Sequence, residues 1–212
     1  MKTRETRPPA SASGYRAVAV GGSAGGFEAL EAIVGALPMD FKPPILAVQH
    51  LHPSDNGSFA RHLARSTRLP VIEPCDKEWI DPGRIYVAPA NYHMLVERSG
   101  AIALSVDGKV NWSRPSIDVL FKSAARAWGG SVIAIILSGA SRDGAEGMRA
   151  VKGAGGLTMA QDPASAQVPF MPRAAIELGA ADEVLCPEAI GRRLIELAGE
   201  PRQLKDNRGG NI

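Results

Sequence analysis

The chain of 212 residues is 45% apolar and carries a formal net charge of only +2. That length and composition suit one globular domain with a buried core, and no apolar run approaches the roughly 18 to 20 residues that a membrane span requires. The near-balanced charge and an aromatic content of 5% argue against nucleic acid as a partner, because nucleic-acid binding uses basic surfaces and stacking aromatic side chains.

Both ends of the chain are polar and are predicted to lie outside the folded domain. Residues 1–14, rich in Pro, Ser, Ala and charge, predict a disordered tail, and no apolar segment of a secretory signal follows them. A second polar tail is predicted at 201–212, which leaves one domain over 15–200. Cys75 and Cys186 form no CxxC pair, so we expect neither a disulfide framework nor a zinc site, and a cytoplasmic location.

Between the tails, short apolar runs alternate with segments of helical spacing. Strands are predicted at 16–20, 45–49, 71–74, 84–89, 131–137, 157–161 and 183–185, and helices at 26–37, 57–65, 116–128, 144–154, 172–179 and 188–199. The segments 93–98 and 101–106 predict an antiparallel hairpin that turns at Ser99 and Gly100. This alternation predicts an α/β, doubly wound, mostly parallel sheet with helices on both faces, and the hairpin as an edge or a flap.

Polar side chains follow three of the predicted strands. Ser23 lies in a Gly-Gly-Ser-Ala-Gly-Gly turn after the first strand, His50 ends the second, and Asp143 follows the very apolar strand at 131–137. In open α/β sheets, ligands bind outside the carboxyl ends of the strands. We therefore expect a catalytic triad at one edge of the sheet, with Ser23 as nucleophile, His50 as base and Asp143 orienting the histidine.

The glycine-rich turn around Ser23 has other interpretations. A dinucleotide fingerprint would need glycine in place of Ser23, and an acid near the end of the second strand, which instead ends in Gln49-His50. A plain strand-to-helix turn with Ser23 as N-cap is a further alternative. The G-x-S-x-G spacing is typical of a turn that lifts a serine oxygen above a sheet, and the backbone N–H of Ala24 is then the expected oxyanion donor.

Other histidines compete with His50 for the role of base. His52 is the main alternative, because it lies only two residues further along the chain. His62 is expected on a solvated helix face, and His93 at the surface or in the wall of a pocket.

For the acid, Asp118 and Asp162 are weaker candidates than Asp143, and Asp143 could itself be the N-cap of the helix that follows it. The chain order Ser, His, Asp differs from the order Ser, Asp, His of α/β-hydrolases. We therefore expect the triad on a different α/β fold.

The sequence resembles the catalytic domain of CheB-type chemotaxis methylesterases from about residue 14 to residue 197. The resemblance lies in GGSAGGFEAL (21–30), AVQHL (47–51), GRIYVAPANYHM (83–94), RPSIDVLFKSAA (114–125), ILSGASRDGAEGM (136–148), AQDPASA (160–166) and MPRAAIELGAADEVL (171–185). It implies a protein-glutamate methylesterase that acts on the cytoplasmic helices of methyl-accepting chemotaxis receptors, meets the membrane only through them, and also deamidates receptor glutamines.

The resemblance also implies roles for individual residues. The family's serine, histidine and aspartate correspond to Ser23, His50 and Asp143, and a second oxyanion donor corresponds to the backbone N–H of Ala140. No metal or organic cofactor is implied. Many relatives carry a receiver domain before this one, so a chain without it is expected to be constitutively open or regulated by a separate receiver or signalling protein.

The sequence departs from the family pattern near the triad. Ala140 replaces a methionine, Ser141 replaces a glycine, and Ala24 stands where threonine is common. Ser141 would be strained if its position requires a positive φ, and Arg142 places a permanent cation beside the acid. We expect these changes to affect rate and substrate preference more than the type of reaction.

Basic residues near the predicted site are candidates for docking acidic receptor helices. Arg114 and Arg173 lie in motif-like stretches and are favoured over Arg142, although a solvated surface is the alternative for each. Two other functions stay open: a hydrolase of the same mechanism with a small ester or amide substrate, and a catalytically silent module that binds receptor helices.

Overall fold

Seven parallel strands form the main sheet of the structure, a computed structural model that describes residues 14–199. The predicted tails lie outside this range except for Gly14. The strands are β1 (Ala17–Gly22), β2 (Ile45–Gln49), β3 (Val71–Ile72), β4 (Ile85–Val87), β5 (His93–Val96), β6 (Ile102–Ser105), β7 (Val132–Ile136), β8 (Leu157–Gln161) and β9 (Glu183–Leu185). The main sheet has the order β3-β4-β2-β1-β7-β8-β9.

Helices cover both faces of this sheet, as the alternating pattern predicts. They are α1 (Gly26–Gly35), α2 (Ser58–Leu63), α3 (Ile117–Trp128), α4 (Ala145–Gly153), α5 (Phe170–Glu177) and α6 (Pro187–Gly199). One core cluster joins α3, α4 and α5 to the sheet, and a second joins α1, α2 and α6 to its other face. The predicted doubly wound α/β fold is confirmed.

The hairpin is not an edge of the main sheet. β5 and β6 pair antiparallel, from His93 opposite Ser105 to Val96 opposite Ile102, and form a separate two-stranded sheet. This small sheet packs on α3, where Val96 N–H donates to Ser123 Oγ at 3.0 Å. The edge interpretation of the hairpin is therefore wrong, because β3 and β9 occupy the edges of the main sheet.

Several predicted element boundaries also shift. β4 spans only Ile85–Val87 of the predicted 84–89, and β3 only two residues of the predicted 71–74. α5 begins at Phe170, ahead of Pro172. Proline is tolerated there because the first helical N–H groups have no partner inside the helix in any case.

The central position of β1 sets the location of the site. β1 lies between β2 and β7, with Gly22 opposite Gln49 and Gly21 opposite Ile136. The chain winds in opposite directions from this point, so the loops after these three strands border one crevice, which is where open α/β sheets bind ligands.

Candidate active site

Ser23 lies in the turn from β1 to α1 and is held there by its backbone. Its N–H donates to Ser138 O at 2.9 Å, and its carbonyl accepts hydrogen bonds from Gly26 N–H at 2.8 Å and from Gln49 Nε2 at 2.6 Å. The positive φ of the turn falls on Gly25, at 69°. A Cβ there would also lie 2.5 Å from Gln167 Cβ, so the tight turn depends on glycine.

His50 and Asp143 form the closest pair of the predicted triad. His50 Nε2 lies 2.9 Å from Asp143 Oδ2, and the aspartate side chain is fully buried. With an ionised carboxylate, Nε2 must carry the proton and donate it, so Nδ1 of a neutral ring is the nitrogen left to accept one. The pair therefore fixes which ring nitrogen can serve as base.

Four more donors surround the Asp143 carboxylate. Oδ2 accepts from Ile117 N–H at 2.7 Å, and Oδ1 accepts from Asn111 Nδ2 at 2.8 Å, Ser116 Oγ at 2.8 Å and Asp118 N–H at 3.2 Å. Burial alone would raise the pKa of Asp143, but the hydrogen bonds from His50, Asn111, Ile117 and Ser116 outweigh it and lower that pKa. Asp143 is therefore an anion held at the N-terminus of α3.

Asp143 does not cap the helix that follows it. Gly144, with φ of 96°, is the N-cap residue of α4, and Asp118 Oδ1 accepts from Gly144 N–H at 3.0 Å and from Gly147 N–H at 2.7 Å. Asp143, which precedes α4, therefore accepts hydrogen bonds from the first residues of α3, and Asp118, in the first turn of α3, accepts them from the start of α4. Asn111 joins the two acids, since its Nδ2 also donates to Asp118 Oδ2 at 3.1 Å.

Ser23 and His50 lie side by side, but their side chains do not meet. They are the residues that follow the paired Gly22 and Gln49, and His50 N–H donates to Gly22 O at 3.1 Å. Within residues 14–199 the Ser23 hydroxyl makes no hydrogen bond, and the hydroxyl that contacts His50 Nδ1 belongs to Ser113, at 3.4 Å. The expected serine–histidine contact is therefore absent, although strands about 4.8 Å apart bring the two side chains within reach of each other by rotation.

The segment after β7 runs directly beside Ser23. A Cβ on Gly139 would lie 3.0 Å from Ser23 Cβ and 2.5 Å from Met171 Cε. Ser138 fixes this segment, because its Oγ donates to Ala24 O at 2.7 Å and accepts from Val168 N–H at 2.9 Å.

The two expected oxyanion donors belong to this part of the site. Across the described residues, the N–H groups of Ala24 and Ala140 make no hydrogen bond, and both residues are exposed. They therefore remain available to a bound oxygen. The assignment of an oxyanion role to either N–H stays a prediction.

The competing histidines lie elsewhere or have other roles. His52 is exposed and bonds Ser54 Oγ at 2.6 Å, and His62 is exposed on α2. His93 is buried, contrary to the surface alternative, and its Nε2 donates to Gly108 O at 3.1 Å while its Nδ1 accepts from Ser116 N–H at 3.2 Å. It thereby fixes the segment that carries Asn111 and Ser113.

The weaker acid candidates also have structural roles. Asp162 Oδ1 accepts from Ala164 N–H at 2.9 Å within a local turn, and Asp118 caps α4 as described above. Ser141 is not among the described non-glycine residues with positive φ. The strain that its replacement of glycine could have introduced is therefore absent.

The predicted docking arginines differ in whether their guanidinium groups have hydrogen-bond partners among the described residues. Arg114 is half-buried, and its Nη1 donates to Val106 O and, at 2.9 Å, to Asp107 O, so its guanidinium holds a loop. Arg142 and Arg173 are exposed, and neither side chain makes an ion pair or hydrogen bond within residues 14–199. A docking role for Arg173 or Arg114 stays a prediction.

Sequence reasoning missed Asn111, Ser113 and Ser116 as parts of the site. They precede and open α3, far from the triad residues along the chain, and only the fold brings them to the His50–Asp143 pair. Only Ser116 lies within a stretch that resembles the family, RPSIDVLFKSAA (114–125), whereas Asn111 and Ser113 precede that stretch. Over the described range, no group of three or more His, Cys, Asp or Glu is arranged to hold a metal, and no helix has the length and apolar character needed to span a bilayer.

Comparison with known proteins identifies one family. The family model described as CheB methylesterase matches residues 18–194. A relative from Leptospira interrogans is 42% identical over 183 residues, which cover 86% of this chain and 95% of the relative. The protein-glutamate methylesterase/protein-glutamine glutaminase 2 of Pseudomonas aeruginosa is 44% identical over 198 residues, and the match covers 90% of this chain but 56% of that protein.

A solved structure shares the fold. The crystal structure of the Thermotoga maritima CheB methylesterase catalytic domain matches with a TM-score of 0.83 and 36% sequence identity, over 86% of this chain and 98% of that domain.

Proposed function

This chain belongs to the CheB methylesterase family, and we propose that it is a serine hydrolase that demethylates glutamate methyl esters on chemotaxis receptors. The observation that carries the proposal is the buried His50–Asp143 pair beside Ser23, at the edge of the sheet where the loops after β1, β2 and β7 meet. Relatives named protein-glutamate methylesterase/protein-glutamine glutaminase support the substrate class.

In the first half of the reaction, Ser23 is the nucleophile. Its hydroxyl rotates toward His50 and attacks the ester carbonyl carbon while Nδ1 accepts the hydroxyl proton. Nδ1 is the base because Nε2 already donates to Asp143 at 2.9 Å. The carboxylate, kept anionic by its lowered pKa, stabilises the imidazolium, which then returns the proton to the departing methoxide as methanol.

In the second half, water replaces the serine. His50 takes a proton from a water molecule, which attacks the acyl carbon, and the proton passes to Ser23 as its bond to the acyl group breaks. The product is the free glutamate carboxylate. With a glutamine substrate the same steps release ammonia, which accounts for a glutaminase activity.

The developing oxyanion needs donors close to Ser23. Ala24 directly follows Ser23, and Ala140 follows Gly139, which lies beside the serine. The N–H groups of both alanines have no other partner in the described chain. Each such donor contributes about 3 to 4 kcal/mol to transition-state stabilisation in comparable hydrolases. Backbone donors do not depend on side-chain identity, so alanine at position 140 is compatible with this role.

Docking of the receptor involves charge. The family resemblance implies that the receptor's cytoplasmic helices are acidic. The guanidinium of Arg173 is exposed and has no partner among residues 14–199, and it lies on α5, whose Met171 N–H donates to Gly139 O at 2.9 Å. Arg173 is therefore the better docking candidate, since the guanidinium of Arg114 holds a loop. Receptor binding is expected to weaken as salt increases.

Methanol release from methylated receptor membranes tests the proposal. The wild-type enzyme should release methanol, and Ser23→Ala should remove nearly all of the activity, whereas Ser113→Ala should lose far less. Release by Ser23→Ala at the wild-type rate would refute the nucleophile assignment. Labelling of Ser23 by a serine-directed phosphonate without methanol release would favour a small-molecule esterase, and neither label nor methanol would favour a silent docking module.

A further inference from the structure

Trp112 is the most exposed large apolar residue among those that the structure describes, with 93% of its surface accessible to solvent. Other exposed aromatic side chains of this range show smaller fractions, such as 55% for Trp79 and 52% for Phe170. An isolated exposed apolar residue needs no explanation by itself. The position and the conformation of Trp112 are what point to a function.

The backbone presents Trp112 on a tight turn closed by two hydrogen bonds. Val110 N–H donates to Ser113 O at 3.1 Å, and Ser113 N–H donates to Val110 O at 3.0 Å. The two residues between them have positive φ, 50° for Asn111 and 63° for Trp112, which is the pattern of a type I′ turn. Asparagine tolerates this region, but a bulky residue rarely adopts it, so the indole is held outward at a conformational cost.

Both neighbours of Trp112 contact the candidate triad. Asn111 Nδ2 donates to Asp143 Oδ1 at 2.8 Å, and Ser113 Oγ lies 3.4 Å from His50 Nδ1. The indole therefore stands at the mouth of the site, one residue away from groups that touch the acid and the base. Because His50 follows the strand beside Ser23, we expect a polypeptide that brings an ester to Ser23 to pass close to this turn.

We propose that Trp112 is a specificity-determining residue that binds the polypeptide carrying the glutamate methyl ester, an inference that rests on the proposed function. The occupant is an acidic amphipathic helix with an apolar side chain beside the modified glutamate. Trp112 covers that apolar side chain. Arg142, which directly precedes Asp143 and is exposed without a side-chain partner in the described chain, pairs with the acidic ones. Tryptophan and arginine are among the residue types most enriched in binding hot spots.

Steady-state kinetics on two substrates test this inference. Trp112→Ala and Trp112→Gly are compared with the wild type on a methylated, soluble receptor cytoplasmic fragment and on a small aryl ester. The glycine variant removes the side chain without straining the positive φ. Trp79→Ala is the matched control, because Trp79 is also exposed but pairs with Ala101 beside the hairpin turn, away from the triad.

Both Trp112 variants should raise KM for the receptor fragment roughly tenfold or more, with a smaller change in kcat, as truncation of a hot spot does. The kcat/KM of both variants for the aryl ester should fall much less. Trp112→Phe should restore part of the affinity for the receptor fragment, and Trp79→Ala should have the kinetic constants of the wild type. If the Trp112 variants match Trp79→Ala on the receptor fragment, the inference is wrong while the proposed function stands. If the wild type cleaves only the aryl ester, the proposed function fails first and this inference with it.

Discussion

Replacing Asp143 with asparagine should impair catalysis and stability together, for a reason visible in its hydrogen bonds. The amide NH2 group must replace one carboxylate oxygen. At Oδ2 it faces two donors, His50 Nε2 and Ile117 N–H, and at Oδ1 it faces three, from Asn111, Ser116 and Asp118. The less costly orientation places NH2 at Oδ2, where His50 can accept only by moving its proton to Nδ1.

That tautomer blocks the nitrogen that must accept the serine proton. A triad histidine held in the wrong tautomer loses roughly 10⁴-fold in kcat. Ile117 N–H is left buried and unpaired, which costs about 1 to 3 kcal/mol of unfolding free energy. We therefore expect both losses in Asp143→Asn, measured by ester hydrolysis and by urea denaturation.

Asp182→Asn is the matched control. Burial alone would raise the pKa of Asp182, but hydrogen bonds from Thr158 and Lys152 outweigh it, so the pKa of Asp182 is lowered as well. It accepts from Thr158 N–H at 3.0 Å near the start of β8, at the opposite end of the strand from the site. Its asparagine variant should keep activity. Wild-type activity in Asp143→Asn, or stability within about 0.5 kcal/mol of wild type, would contradict the reasoning.

Three further predictions concern the same network. Asn111→Ala should lose about 1 to 3 kcal/mol of unfolding free energy, because it leaves Asp143 and Asp118 each without one donor; an unchanged urea midpoint would contradict this. Gly147→Ala should cost about 1 to 3 kcal/mol, since its Cβ would lie 2.6 Å from Phe121 Cβ, whereas Gly153→Ala, with nothing within 4 Å, should not destabilise α4. The lowered pKa of Asp143 gives stability that is complete above its ordinary value of 3.8 and lost as the pH falls through the folded-state value. The stability advantage of the wild type over Asp143→Asn should therefore narrow in urea titrations below about pH 4, and a constant difference would refute the assignment.

The residues at the strand ends could be placed from the sequence because the rule they follow is local. An apolar strand, its last residue and the polar residue after it are adjacent along the chain, and parallel strands align their carboxyl ends. Gly22 opposite Gln49 in the sheet is what makes Ser23 and His50 neighbours. The fold class follows from the same alternation of strands and helices.

The supporting residues could not be placed in this way. Asn111 and Ser116 reach Asp143 through a turn and a helix start, and no spacing rule connects residues that far apart in sequence. Asp143 accepts from the start of α3 and Asp118 from the start of α4, and both sets of hydrogen bonds require the two helices to pack closely. The packing is so close that a Cβ on Gly147 would lie 3.1 Å from Asp118 Cα. The hairpin departs from the main sheet because it packs on α3, a tertiary contact that its own alternating pattern does not encode.

The identity of the nucleophile is the central claim, and labelling tests it most directly, because two serines lie beside the same imidazole. The wild-type protein is treated with a serine-directed phosphonate, and the modified residue is located by peptide mass spectrometry, with His50→Ala as the control for activation by the base. We expect a single label on Ser23 that is strongly reduced in His50→Ala. A label on Ser113, whose Oγ lies 3.4 Å from His50 Nδ1, would contradict it.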